Sequence, residues 1–202
     1  MERGKYRMIT IKEGTRFYEG FKYIEPAIGR TRYKFWRTTR VPAFAPAWAK
    51  NGDPPPILRV IQGGLFCAAV PNLMLRKVGK RIPIRNDRSD FEGGVAAYFG
   101  DNKFGAGYFS DRMENFNLQK AKQWAEETRS GVLIGHKFVW TQSGHVKSEG
   151  HVAILLPSGY VLQAVPYSGL NWNLTIEESQ DVIHYQVMVH PRKWINYDGD
   201  EI

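Results

Sequence analysis

The chain has 202 residues, 43% of them hydrophobic and 24% charged, a balance near the globular average that excludes disordered, collagen-like and low-complexity classes. Its single cysteine, Cys67, excludes an intramolecular disulfide and a cysteine-rich zinc site, and no apolar run approaches the roughly 18 residues of a membrane-spanning helix. The net charge of +8 is uneven: residues 1–40 hold 11 Lys and Arg against 4 Glu, whereas residues 41–202 hold 17 against 16 acidic groups.

In residues 1–40 the cations interleave with Tyr6, Phe17, Tyr18, Phe21, Tyr23, Tyr33, Phe35 and Trp36, a composition that suits nucleic acid or another polyanion. The structural alternative is a set of short strands over residues 6–11, 16–24 and 32–41, built from aromatic and β-branched residues with charged outer faces. No apolar signal core accompanies Glu2, Arg3, Lys5 and Arg7, so the expectation is a soluble protein made in the cytoplasm without a signal peptide. A proline-rich connector, residues 42–56, follows and supports neither helix nor central strand. The chain is therefore divided into a basic, β-rich extension with its connector (1–56) and a main domain (57–202).

Cys67 is expected to open a helix in which Ala69, Val70, Leu73, Met74 and Val78 share one face and Gly79 supplies the stop. With Cys67 as N-cap, Pro71 would remove a hydrogen bond and distort the first turn. Residues 83–116 form a long excursion. Asn117 is a candidate N-cap for a helix over 118–129, closed by Gly131. Strands are expected over 131–140, 151–156, 160–165 and 182–190, the middle two joined by Pro157, Ser158 and Gly159. Helices first and an antiparallel sheet afterwards define an α+β class.

A thiol attacks only as thiolate and needs a helix N-terminus or a neighbouring imidazolium to form it. Cys67, at the expected helix start after Gly63 and Gly64, meets the first condition; the alternative is a small buried hydrophobe. Among five histidines, His151 begins an apolar strand, whereas His145 lies in a polar stretch, His190 precedes Pro191, His184 precedes a C-terminal strand and His136 lacks a polar neighbour in sequence. His151 is thus the candidate base, with Gln163 on the next strand to orient its ring. Register decides that pairing. A two-residue turn sends Gln163 to the face away from His151, and a three-residue loop with Gly159 in the left-handed region puts both on one face. Turn chemistry favours the second. The histidine spacings match no zinc site, so neither a metal nor another cofactor is expected.

These segments, Gly63-Gly64-Leu65-Phe66-Cys67, Ser130-Gly131-Val132-Leu133-Ile134, Gly150-His151-Val152-Ala153-Ile154 and Tyr160-Val161-Leu162-Gln163-Ala164, resemble the motifs of the NlpC-type cell-wall cysteine peptidases over about residues 57–165. Residues 169–179 are similar, more weakly, to peptidase domains of phage lysins. The resemblance implies a papain-like fold with the cysteine helix packed on an antiparallel sheet, Cys67 as nucleophile, His151 as base and Gln163 in the third position, usually histidine. Ala68 and Ala69 replace the usual Ser-Gly, and the tyrosine of the family's oxyanion site has no clear counterpart. Gln62 could donate there instead, as an upstream glutamine does in papain-like enzymes, and Asn171 before Trp172 is the rival orienting residue. The implied activity is hydrolysis of an amide bond in peptidoglycan peptide stems, acting at the cell wall after release, with the basic segment drawn to the anionic wall. The alternative function is a non-enzymatic nucleic-acid-binding protein using residues 1–40.

Overall fold

Three helices and eight strands can be placed in the computed structural model, which describes residues 11–29, 33–34, 67–80, 98–100, 108–109, 112–137, 139–148, 150–168, 171–182 and 184–196. Gln62, Gly63, Gly64, the connector 42–56 and most of the strand expected over residues 6–11 lie outside the described residues.

Residues 16–24, expected as a strand, form helix α1 (Arg16–Ile24). Thr15 caps it, its Oγ1 accepting from Tyr18 N–H at 3.2 Å and donating to the Lys12 carbonyl at 2.8 Å. The buried residues Phe17, Gly20, Phe21 and Ile24 recur at three- and four-residue intervals, the period of one helix face rather than of a strand. The two-residue strand β1 (Tyr33–Lys34) follows. Helix α2 (Ala69–Lys77) starts two residues later than expected, with Ala68 at the N-cap position and Cys67 in the preceding turn. Pro71 then occupies the third helical position, where a backbone N–H has no partner inside the helix anyway, so the expected disruption does not arise. Gly79, at φ +78°, ends the segment. Helix α3 (Leu118–Thr128) is capped by Asn117, whose side-chain oxygen accepts from Lys120 N–H at 2.9 Å. It ends with Arg129 in the left-handed conformation and Ser130 N–H bonded to the Ala125 carbonyl. Gly131 is needed for packing instead. A Cβ there would lie 2.4 Å from the Phe17 ring and 2.5 Å from Ile154.

The strands are β2 (Val132–His136), β3 (Val139–Trp140), β4 (Val146–Ser148), β5 (His151–Leu155), β6 (Tyr160–Ser168), β7 (Asn171–Glu178) and β8 (Val187–Val189). β3 and β4 form a separate hairpin, and the other six make one antiparallel sheet in the order β1, β7, β6, β5, β2, β8. β7 was not expected, although Leu174 and Ile176 alternate with Thr175 and Glu177 along it. The α+β class holds.

Alternation splits the buried side chains into two clusters. One face carries Leu133, Val152, Ile154, Leu162, Ala164, Leu174, Ile176, Val187 and Val189 and packs against α1 and α2. The other carries Val132, Ile134, Ala153, Leu155, Val161 and Met188 and packs against Ala121 and Ala125 of α3, Val182 and Tyr185. Phe17 ties the first cluster to the C-terminal segment. Its N–H donates to Asn196 Oδ1 at 3.0 Å, its ring meets Trp194 edge-on, and Trp194 Nε1–H donates to the Gly131 carbonyl at 2.9 Å. Residues 11–29 therefore share a core with residues 67–196, across the boundary that the sequence suggested at residue 56. Among the described residues no helix is long and apolar enough to cross a membrane.

Candidate active site

The hairpin of β5 and β6 sets the site. Ile154 pairs with Leu162 and Leu155 with Val161, so residues 157–159 form a three-residue loop. Gly159 takes φ +79° and its N–H bonds to the Leu156 carbonyl at 2.9 Å. Continued by two residues toward the start of β5, this register puts Gln163 opposite Ala153 and on the face of His151. The side chains meet, with Gln163 Oε1 lying 2.8 Å from His151 Nε2. With the amide in this orientation its oxygen accepts, so His151 donates through Nε2–H and Nδ1 keeps a lone pair for a proton.

Four further residues complete the setting. Gln163 Nε2 donates to Glu177 Oε2 at 3.1 Å, and the Tyr185 hydroxyl donates to Gln163 Oε1 at 3.3 Å. His136, directly opposite His151 on β2, has its ring centroid 6.1 Å from that of His151, and His184 stands 6.0 Å from His136. Tyr185 lies among the three imidazoles, 5.7 Å from His136, 5.9 Å from His151 and 5.0 Å from His184. Burial pushes His136 down to about 4, with the charges of His151 and His184 acting in the same direction. His151 is also lowered, chiefly by burial, although the Gln163 bond and the Glu177 carboxylate oppose the shift. Both rings are therefore neutral near pH 7, the state in which an imidazole accepts a proton. Among the described residues no group of three or more His, Cys, Asp or Glu is arranged to hold a metal ion.

Cys67 lies elsewhere. It is buried in the cluster of the α1 and α2 face, in the turn before Ala68, whereas His151 and Gln163 project from the α3 face. Tyr98 is buried beside that turn, its hydroxyl donating to the Ala68 carbonyl at 2.8 Å. Burial, with Cys67 contributing, raises Tyr98 well above the usual phenol range and keeps it a donor. Of the residues that the sequence joined in one site, His151 and Gln163 are hydrogen-bonded to each other, and Cys67 belongs to the cluster of the α1 and α2 face. Gln62 lies outside the described residues. Asn171 occupies β7 opposite Lys34 and Ser168, and Thr175 is the residue opposite Gln163.

Sequence reasoning passed over His136, His184, Tyr185 and Glu177. The odd-numbered alternation of Asn173, Thr175 and Glu177 could have found Glu177, and pairing β2 with β5 could have found His136. Tyr185 lies outside any strand, and nothing local marks it. Gly135 explains how closely β2 approaches β5: a Cβ there would lie 2.0 Å from the His151 carbonyl oxygen and 2.9 Å from the Phe99 ring. No family model, curated protein or solved structure matches the chain.

Proposed function

We propose that the chain is a hydrolase in which His151, oriented by Gln163, is the general base, Cys67 is the nucleophile and the scissile bond is an amide in the peptide stems of peptidoglycan. The observation that carries this reading is the 2.8 Å contact between His151 and Gln163, which leaves Nδ1 of a half-buried, neutral imidazole as the proton acceptor. In the reaction Nδ1 takes the thiol proton, the sulfur adds to the carbonyl carbon, and the tetrahedral intermediate expels the amine as the imidazolium returns the proton. Water then cleaves the thioester, activated by the same ring. Gln62 and the Cys67 backbone N–H are the proposed oxyanion donors.

The thiol has to reach Nδ1 from the other cluster. Cys67 precedes the N-cap, its carbonyl accepts a long 3.4 Å bond from Val70 N–H, and the proposed attack requires the turn at residues 67–68 to move, breaking the bond from the Tyr98 hydroxyl to the Ala68 carbonyl. The proposed site of action is the cell wall, reached after release. The nucleic-acid reading loses part of its platform, because Phe17 and Phe21 are core residues and unavailable for stacking on bases.

Purified sacculi incubated with the protein, followed by mass analysis of the released fragments, test the proposal. Stem fragments with new amine and carboxylate ends are expected from the wild type and are lost in His151→Ala and Cys67→Ala. Salt-dependent binding to DNA or RNA that survives both substitutions, with no fragment released, would favour the nucleic-acid reading.

A further inference from the structure

We propose that Glu177 is a positioning residue that fixes the tautomer of His151, acting through the side-chain amide of Gln163. A glutamine amide can present either end to a neighbour, so the contact with Gln163 does not by itself select which ring nitrogen carries the proton. Were the amide turned over, its NH₂ would face the ring, and His151 would have to offer a lone pair at Nε2 and carry its proton on Nδ1. That tautomer cannot take a proton at the position left for the nucleophile.

Glu177 removes the ambiguity. Its carboxylate only accepts, and it lies 3.1 Å from Gln163 Nε2. Turning the amide would set two oxygens against each other, at a glutamine that is only 9% exposed. Tyr185 cannot make this choice, since its hydroxyl at 3.3 Å from Oε1 could accept from an NH₂ as readily as it donates to an oxygen. The register explains the reach: Thr175 is directly opposite Gln163 and Glu177 opposite Val161, so Glu177 is the diagonal neighbour of Gln163 on the same face. Glu177, Gln163 and His151 thus form a directional chain across three adjacent strands, and the acceptor-only end dictates the proton at the other.

The catalytic meaning of this chain rests on the hydrolase reading, but the tautomer is measurable without any activity. Nitrogen-15 shifts of the His151 ring, recorded at about pH 8 where the imidazole is neutral, distinguish the two forms. The wild type should hold the Nε2–H form. In Glu177→Gln the new amide can either donate or accept, so the Nδ1–H form should rise to roughly half of the population. Adding Gln163→Glu swaps the two groups: the carboxylate now at 163 accepts from Nε2–H and from the amide at 177, and the Nε2–H form should return. An unmoved tautomer in a folded Glu177→Gln variant, or failure of the swap to restore the form, overturns the proposal. Should Glu177→Gln not fold, an Nδ1–H ring in the wild type overturns it and the Nε2–H form in both wild type and swap supports it. A wild type that releases nothing from sacculi, with the tautomer moving as expected, would end the hydrolase reading and leave the role of Glu177 standing. Hydrolysis with an unmoved tautomer would do the reverse.

Discussion

The two faces of the sheet are built from different materials. Beneath α1 and α2 the side chains are almost entirely apolar, and Phe17, Met74, Trp194 and Cys67 are packed there as a core. Toward the start of β5 the α3 face changes from Ala153 and Leu155 to a polar group made by His151, Gln163, Glu177, His136 and Tyr185. A polar network in a buried setting costs free energy unless its members find partners, and hydrogen bonds join His151, Gln163, Glu177 and Tyr185, with the His136 ring beside them. The first face has the composition of stability and the second that of chemistry, which makes the position of Cys67 on the first the sharpest question about the molecule.

The largest expected effect answers that question. His151→Ala should lower the rate of stem cleavage by about 10²- to 10⁴-fold through loss of the general base, as read by fragment release from sacculi. Cys67→Ala should do the same if the thiol crosses to the ring. Full activity in that variant would assign Cys67 to the core and confine the site to the α3 face. Iodoacetamide gives a second reading, since modification of Cys67 well below pH 8 would show an activated thiolate reaching the surface, and inertness of the native protein would show a packed side chain.

On the apolar face, Phe17→Ala should cost about 3–5 kcal/mol of unfolding free energy, because it empties a fully buried site between α1, Gly131 and Trp194. Denaturant titration measures it. Removal of residues 1–29 should then unfold the protein, rather than only weaken its attraction to polyanions. Activity on whole walls and on a small soluble peptide would fall together.

Gln163→Leu should reduce turnover on the order of tenfold or more by releasing the ring, with little loss of stability relative to Phe17→Ala, whereas Gln163→Glu should retain part of the activity because a carboxylate still accepts from Nε2–H. Comparison of kcat for the two variants decides whether the contact orients a base or merely fills space.

The smallest effect is electrostatic. Burial holds His136 at about 4 against an ordinary 6.5, so below about pH 6.5 the unfolded chain binds a proton that the folded chain refuses until near pH 4. Stability should be fully present above pH 6.5, decline between those values and level off below them, with His151 acting in the same direction. His136→Gln should flatten part of the decline in denaturant midpoint between pH 7 and pH 5. An unchanged slope would place the protonation elsewhere.

Features governed by neighbours in the chain were legible in the residues. Asn117 caps α3, the apolar stripe from Ala69 onward makes α2, and Pro157, Ser158 and Gly159 set a loop whose register brings Gln163 to His151. Each depends on a few consecutive residues: a cap on one side chain and one N–H, a turn on one glycine at positive φ, a hairpin on side chains that alternate with a period of two. Long-range packing decided the rest. Residues 16–24 carry enough aromatic character to read as a strand, and they become a helix because Phe17, Phe21 and Ile24 fill one core. The order of Cys67 and His151 along the chain carries no information about which side of the sheet each occupies, since that depends on where α2 docks. Tyr185 enters the site, and Glu177 gains its role there, only after strands distant in sequence have paired. Local chemistry fixes a turn or a cap within a handful of residues, whereas the face that a helix covers is set by the fit of the whole apolar surface.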